Sequence, residues 1–210
     1  MVLLGKTLAE LQAVAQEVGL PRFAGKQLAE WLYVRRATSF DEMTNISLKG
    51  REALKAKYTI GRYDHVGETI SKDGTKKYLF AVKGTDDVYV YVESVYIPDN
   101  DRATLCVSTQ AGCKMGCKFC MTGTLGFHGH LTAADILNQI FSIPDADKLT
   151  NIVYMGEGEP MDNLDSVLRS LEVGPLSCFS QTPSRSSLSS PQLPSHLLDS
   201  QPFALWPPHI

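Results

Sequence analysis

Three of the chain's five cysteines, Cys113, Cys117 and Cys120, fall within one stretch of eight residues. Thiolates are soft ligands that suit zinc or an iron–sulfur cluster. Three packed this closely point to a metal or cluster site more than to disulfides. A cubic cluster has four irons to ligate, so three cysteines in one loop leave one iron open to a small chelating molecule. Two other readings stay open on spacing alone. Zinc could sit on the three thiols with His128 or His130 as a fourth ligand, although these histidines flank Gly129 and read as loop residues. Cys117 and Cys120 could form a redox pair, which would leave Cys113 without a role.

The loop has structured flanks. Residues 103–108 read as a strand running into it. Phe119 stands immediately before the last cysteine, and Thr132 caps a helix over residues 133–143. A second short apolar strand, residues 151–155, leads into Gly156-Glu157-Gly158-Glu159-Pro160. Asp162 or Asn163 then opens a helix that runs to Leu171. Strand and helix alternate here, which implies parallel pairing. Glycines after a strand let a ligand approach the backbone closely. A carboxylate beside them can accept hydrogen bonds from an amino group.

Upstream, residues 1–61 read as helical. Thr7-Leu8-Ala9-Glu10 is a capping box. Leu8, Leu11, Ala15 and Val18 recur at helical spacing until Gly19 and Pro21 end the element. A helix over residues 24–34 carries Leu28, Trp31 and Leu32, and one over residues 48–58 is capped by Ser47. These apolar positions read as core. Residues 62–98 read as strands. Asp73-Gly74 signals a hairpin, residues 83–87 a turn, and the Val- and Tyr-rich residues 88–97 a strand.

Composition is that of an ordinary globular chain, 20% charged and 43% hydrophobic, with a formal net charge of −3. Residues 1–62 carry ten Lys/Arg against six Asp/Glu. The local excess is four positive charges, and the remainder stands at −7. Affinity for nucleic acid would have to reside in that basic part, and the plainer reading is a solvated helical surface. Lys6 follows Met1-Val2-Leu3-Leu4 too soon for a signal peptide. No apolar run nears the roughly 20 residues of a membrane span. A cytoplasmic location with reduced thiols is therefore expected. From Gly174 onward the character changes: 37 residues hold nine Ser and seven Pro, with Arg185 and Asp199 the only charges. Such a stretch is expected to be disordered.

Taken together, the segments have a family likeness. It rests on Val92-Glu93-Ser94-Val95-Tyr96-Ile97-Pro98, on residues 102–113 through the first cysteine, and on Cys120-Met121-Thr122-Gly123-Thr124-Leu125-Gly126-Phe127. Leu131-Thr132, Met155-Gly156-Glu157-Gly158-Glu159-Pro160 and Asp73-Gly74-Thr75-Lys76-Lys77-Tyr78-Leu79 extend it. These resemble the RlmN/Cfr family of radical S-adenosylmethionine (SAM) RNA methyltransferases, over about residues 5–172. The resemblance implies an α/β fold: a helical, RNA-binding accessory domain (1–61), a β-hairpin connector (62–98), and the first part of a radical SAM partial (β/α) barrel (99–173). A non-family tail (174–210) follows.

It also implies a [4Fe-4S] cluster on Cys113, Cys117 and Cys120, with SAM met by Gly158, Glu159 and Phe119. Glu93 matches the family's proton acceptor. Cys106 matches the cysteine that pairs with a methyl-carrying one. On the residues alone, the favoured readings are that Glu93 faces solvent and that Cys106 is a small buried hydrophobe. The implied reaction is methylation of adenine C2 in the peptidyl-transferase centre of 23S rRNA and next to the anticodon in tRNA. One SAM methylates a C-terminal cysteine and a second activates that methyl group. A flavodoxin or ferredoxin would supply electrons, and the protein would be a monomer.

The alternatives are the branch that methylates C8 and a zinc-stabilised, non-catalytic RNA-binding module. The likeness stops short of the family's end. A full barrel takes about 250 residues, and residues 99–174 amount to about two of its units. Cys178, in the Ser/Pro-rich stretch, has none of the methyl-carrying cysteine's context. A truncated, inactive form is the expectation.

Overall fold

The computed structural model describes residues 1–174. The expected disorder of the Ser/Pro-rich stretch thus lies outside the described residues, apart from Gly174. Helix α1 (Leu8–Glu17) opens on the anticipated capping box. Thr7 Oγ1 accepts the Glu10 N–H at 3.3 Å, and the Glu10 carboxylate accepts the Thr7 N–H at 2.7 Å. Both donors would otherwise be orphans of the first turn.

Helix α2 (Ala24–Ala29) runs into a π-helical turn, Glu30–Val34, in which the Arg35 N–H reaches the Glu30 carbonyl at 2.9 Å. A single α-helix was expected over residues 24–34. The wider turn buries three consecutive large side chains, Trp31, Leu32 and Tyr33. The Trp31 indole N–H donates to Asn45 Oδ1 at 2.6 Å and the Tyr33 hydroxyl to the Lys6 carbonyl at 2.6 Å. A short 3-10 turn, Phe40–Glu42, precedes α3 (Leu48–Lys57). Leu8, expected in the core, is 43% exposed. It lines a shallow apolar hollow with Tyr33, Val34 and Val173.

Strands β1 (Gly67–Ile70), β2 (Lys76–Lys83), β3 (Tyr89–Asp99) and β4 (Arg102–Cys106) form an antiparallel meander. The β1–β2 hairpin turns, as expected, at Asp73-Gly74, within a five-residue connection. Gly74 takes a φ of +87°, and Asp73 Oδ1 accepts the Thr75 N–H at 3.0 Å. Two-stranded pairing of β5 (Gln110–Gly112) with β6 (Phe127–His130) brackets the cysteines, and α4 (Met121–Thr124) lies between them. His128 and His130 therefore sit in a strand rather than in a loop.

Helix α5 (Ala133–Phe141) and strand β7 (Asn151–Val153) come next, and α6 (Leu164–Val173) closes the described part behind a 3-10 turn, Pro160–Asn163. Strand β7 pairs with β4 in parallel, Cys106 opposite Val153, so the sheet order is β1-β2-β3-β4-β7. The elements at 103–108, 133–143 and 151–155 are each shorter than expected. Among the described residues no helix is long and apolar enough to cross a membrane.

Arg62 and Tyr63, just after the helical part, are joined to α5 by partly buried polar contacts. Asn138 is fully buried. Its Oδ1 accepts the Tyr63 N–H at 3.0 Å and its Nδ2 donates to the Tyr63 carbonyl at 2.9 Å. The Tyr63 hydroxyl donates to Asp135 Oδ1 at 3.0 Å, and Arg62 donates to the carbonyls of Phe141 and Arg36. Burial lowers the Arg62 guanidinium's affinity for its proton and raises that of the Tyr63 phenol. Removing the amide strands two buried backbone groups at once. Asn138→Ala should therefore lower the unfolding free energy by roughly 2–4 kcal/mol. The check is the shift of the urea midpoint at unchanged slope.

Candidate functional site

The route into the cysteine loop is a buried backbone whose first half, residues 107–109, lies between strands β4 and β5. Residues 107–112 are all buried, so each polar main-chain group needs a partner. The Val107 N–H finds the Val153 carbonyl at 2.9 Å, and the Val107 carbonyl takes the Gly156 N–H at 3.0 Å. Gln139 bonds both groups of Ser108, accepting from its N–H at 2.8 Å and donating to its carbonyl at 3.0 Å. The N–H groups of Thr109 and Gln110 share the Glu157 carbonyl at 2.9 and 3.2 Å. The Thr109 carbonyl accepts from Asn163 Nδ2 at 2.8 Å and from the Leu131 N–H at 3.0 Å. The segment after β7, together with α5, thus stands in for a missing strand.

The loop itself is rooted by the β5–β6 pair. The Cys113 N–H donates to the Gly126 carbonyl at 2.9 Å. Gly112 has φ +71°, and a Cβ there would lie 1.8 Å from the Gly126 oxygen, so only glycine allows this closure. Within the loop the Cys120 N–H donates to the Cys117 carbonyl at 3.0 Å. Cys117 is exposed, Cys113 and Cys120 are half-buried, and all three are free thiols. Phe119 projects into solvent, 94% exposed.

Donor type, number and free state fit a cluster. Among the described residues no three Cys, His, Asp or Glu side chains stand close enough to hold a metal ion as they are placed. The three thiols would have to turn towards one another to hold it. His130 is occupied elsewhere. Its ring nitrogens contact Gln110 Nε2 and Lys114 Nζ, each at 3.2 Å.

The glycine-rich segment lies against the loop's root. Gly158 has φ +92°, and a Cβ on it would meet the Gln110 Cβ at 2.5 Å. The Glu159 N–H donates to Gln110 Oε1 at 3.0 Å, and Gln110 Nε2 donates to Asp162 Oδ2 at 2.8 Å. Hydrogen bonds from Lys114 and Gln110 hold the Asp162 carboxyl below the usual range. Glu159 uses its own carboxylate as a cap on the Met161 N–H at 3.1 Å.

Glu93 and Cys106 share a sheet face. Cys106 pairs with Val95, two residues along β3 from Glu93, and side chains alternate with a period of two. Glu93 is partly exposed and paired with Lys77 at 3.0 Å. Burial pushes the Cys106 thiol up. The residue that sequence reading passed over is Glu157. Its carboxylate accepts the N–H of Glu93 at 2.9 Å and that of Gly112 at 3.3 Å, and burial holds it above the usual carboxylate range. Nothing in its spacing separates it from Glu159, and only its partners do.

With the geometry in hand, comparison with known proteins is informative. Residues 1–60 match the model of the ribosomal RNA large subunit methyltransferase N-terminal domain. A Porphyromonas gingivalis protein named probable dual-specificity RNA methyltransferase RlmN is 61% identical over 173 residues, 82% of this chain and 48% of its own length. The chain belongs with the RlmN family. A Bacteroides fragilis RlmN of the same description is 57% identical over 90% of this chain and 54% of its own. A match that wide takes in residues beyond 174. A radical SAM methyltransferase from Sphaerobacter thermophilus, known from its crystal structure, superposes with a TM-score of 0.74 at 35% identity, over 82% of this chain and 51% of that one. The chain thus spans about half the length of the relatives it matches.

The thiols should differ in reactivity. The thiolate is the nucleophile, and burial disfavours it at Cys106. On alkylation at neutral pH, peptide mass spectrometry should find Cys117 modified well before Cys106. The Cys106 rate should rise as pH is raised. Equal rates at neutral pH would contradict the burial of Cys106.

Proposed function

We propose that this chain supplies the RNA-binding part and the cluster-binding first half of an RlmN-type radical SAM methyltransferase. Its substrates would be adenine C2 in the peptidyl-transferase centre of 23S rRNA and the adenine next to the anticodon in tRNA. The single observation that carries the reading is the buried approach to three free thiols, with the Gly158-Glu159 segment packed on its root. In this reading Cys113, Cys117 and Cys120 hold a [4Fe-4S] cluster. Gly158 gives SAM close access to the backbone, Glu159 accepts hydrogen bonds from its amino group, and Phe119 covers it. When bound, the cluster and SAM supply one-electron cleavage of a carbon–sulfur bond, chemistry that belongs to the cofactor rather than the protein. Glu93 takes a proton from the substrate carbon, held in place by its ion pair with Lys77 at 3.0 Å. Cys106 remains a protonated thiol until a partner cysteine reacts with it.

Residues 1–61 would contribute RNA affinity through their excess of basic side chains, so binding to rRNA fragments should weaken with added salt. The electron donor would be a flavodoxin or ferredoxin, and the protein a monomer. Within 1–210 no cysteine matches the family's methyl carrier, so this polypeptide on its own should not complete turnover.

Anaerobic reconstitution tests the cluster. Iron and sulfide should bind, and replacing Cys113, Cys117 and Cys120 by Ala should abolish both. Stoichiometric zinc without sulfide would sink the proposal. In a parallel assay, labelled SAM and rRNA fragments should give no stable label on adenine with residues 1–210, against a full-length family member as positive control. Label would mean that Cys178 or Cys106 can carry the methyl group.

A further inference from the structure

Beyond β4 the strand β3 loses its neighbour. β4 ends at Cys106, opposite Val95, so the outward backbone groups of Glu93 face no strand. Both are nevertheless satisfied. The Glu93 N–H donates to Glu157 Oε1 at 2.9 Å, and the Glu93 carbonyl accepts from the Ser108 hydroxyl at 2.5 Å. That hydroxyl oxygen in turn accepts the Glu157 N–H at 2.8 Å. The second carboxylate oxygen of Glu157 accepts the N–H of Gly112, the residue before Cys113, at 3.3 Å. Glu93 and Gly112 lie 64 and 45 residues away from Glu157 in the chain. One side chain therefore spans two segments that meet nowhere else through the backbone pairings described above.

We propose that Glu157 is a positioning residue: its two carboxylate oxygens lock the strand that carries Glu93 to the root of the cysteine loop, so that the proton acceptor and the thiols keep one fixed relation. The roles of Glu93 and the thiols rest on the function proposed above, whereas the tie itself rests on geometry alone. The chemistry selects glutamate. Two N–H donors need two acceptor oxygens. Glutamine offers one acceptor and turns an NH2 group towards the other donor, and methionine offers neither. The elevated carboxyl affinity for protons agrees with a group drawn out of water to make these bonds. Leu79 lies opposite Glu93 in the β2–β3 register, and the backbone groups of Glu93 turn away from it towards Glu157 and Ser108.

Amide hydrogen exchange on the full 1–210 chain, read by NMR, tests the tie. In the unsubstituted protein the amides of Glu93 and Gly112 should open with matching free energies. A difference of more than about tenfold in protection would overturn the proposal. In Glu157→Gln the protection of at least one of the two amides, the one left facing the NH2 group, should fall by about tenfold or more, with reference amides in α1 and in the β2–β3 pair unchanged. Unchanged protection at Glu93 and Gly112 would also overturn it. If Glu157→Gln fails to fold, the comparison within the unsubstituted chain still decides.

Anaerobic loading of the same variant provides a second readout. Iron and sulfide should bind more slowly than in the parent while the reference amides stay protected. Loading at the parental rate would reduce the tie to a structural contact and refute its positioning role. If the parent takes up no iron and sulfide, the functional reading fails and the exchange result is judged by itself. If the parent loads but the exchange prediction fails, only the tie is lost.

Discussion

A buried backbone must have every N–H and C=O paired, and residues 107–112 meet that demand with only their second half, Gln110–Gly112, in a regular strand. Six consecutive buried residues carry the chain from the end of β4 to the first cysteine. Their partners come from β7, from the Gly156–Pro160 segment, and from the amides of Gln139 and Asn163. The cysteine loop can be exposed and adaptable because its root is not. An unpaired amide at Thr109 or Gln110 would cost on the order of 1–3 kcal/mol, so the segment after β7 is held to the loop's root by necessity rather than by chance contact.

This necessity explains what the sequence made legible and what it did not. Local signals were sufficient for α1, whose cap is written in Thr7 and Glu10, and for α5, whose cap is written in Thr132 and Asp135. Alternating Val and Tyr gave β3. Longer-range satisfaction left no such trace. Asn138 and Gln139 are both fully buried on α5, yet in sequence they are two polar residues on an amphipathic helix. Their partners, Tyr63 and Ser108, lie 75 and 31 residues away. The π-helical turn at Glu30–Val34 was equally invisible, since its sequence suits an α-helix. It widens because burying Trp31, Leu32 and Tyr33 together outweighs regular hydrogen bonding.

For the site, residue types were legible and relations were not. Three cysteines at close spacing marked out candidate donors, and Gly158 and Glu159 the segment that the fold brings to the loop's root. The β5–β6 pair escaped notice because Gln110–Gly112 and Phe127–His130 are too short and glycine-rich to read as strands. That pair fixes the ends of the loop. Once Cys113 is bonded to Gly126, the cysteines lie in a closed loop of about a dozen residues. Closing so short a loop in advance lowers the entropy left to lose when a ligand gathers its thiols.

The two glutamates of the Gly156–Pro160 segment show how a short stretch can divide its labour. Gly158 turns the chain with a φ of +92° and lies against Gln110. The residues on its two sides are thereby sent in different directions. Glu157 turns inward, where its carboxylate is consumed by two backbone donors and sits above its ordinary pKa range. Glu159 turns towards the following 3-10 turn and keeps only a local cap on Met161. A carboxylate already committed to two amides has little capacity left for a ligand. One that caps a single N–H keeps a free oxygen and can accept from an incoming amino group. Substituting an L residue for Gly158 would oppose both directions at once, through the strained φ and through the collision with Gln110. The glycine is therefore required even before any ligand is considered.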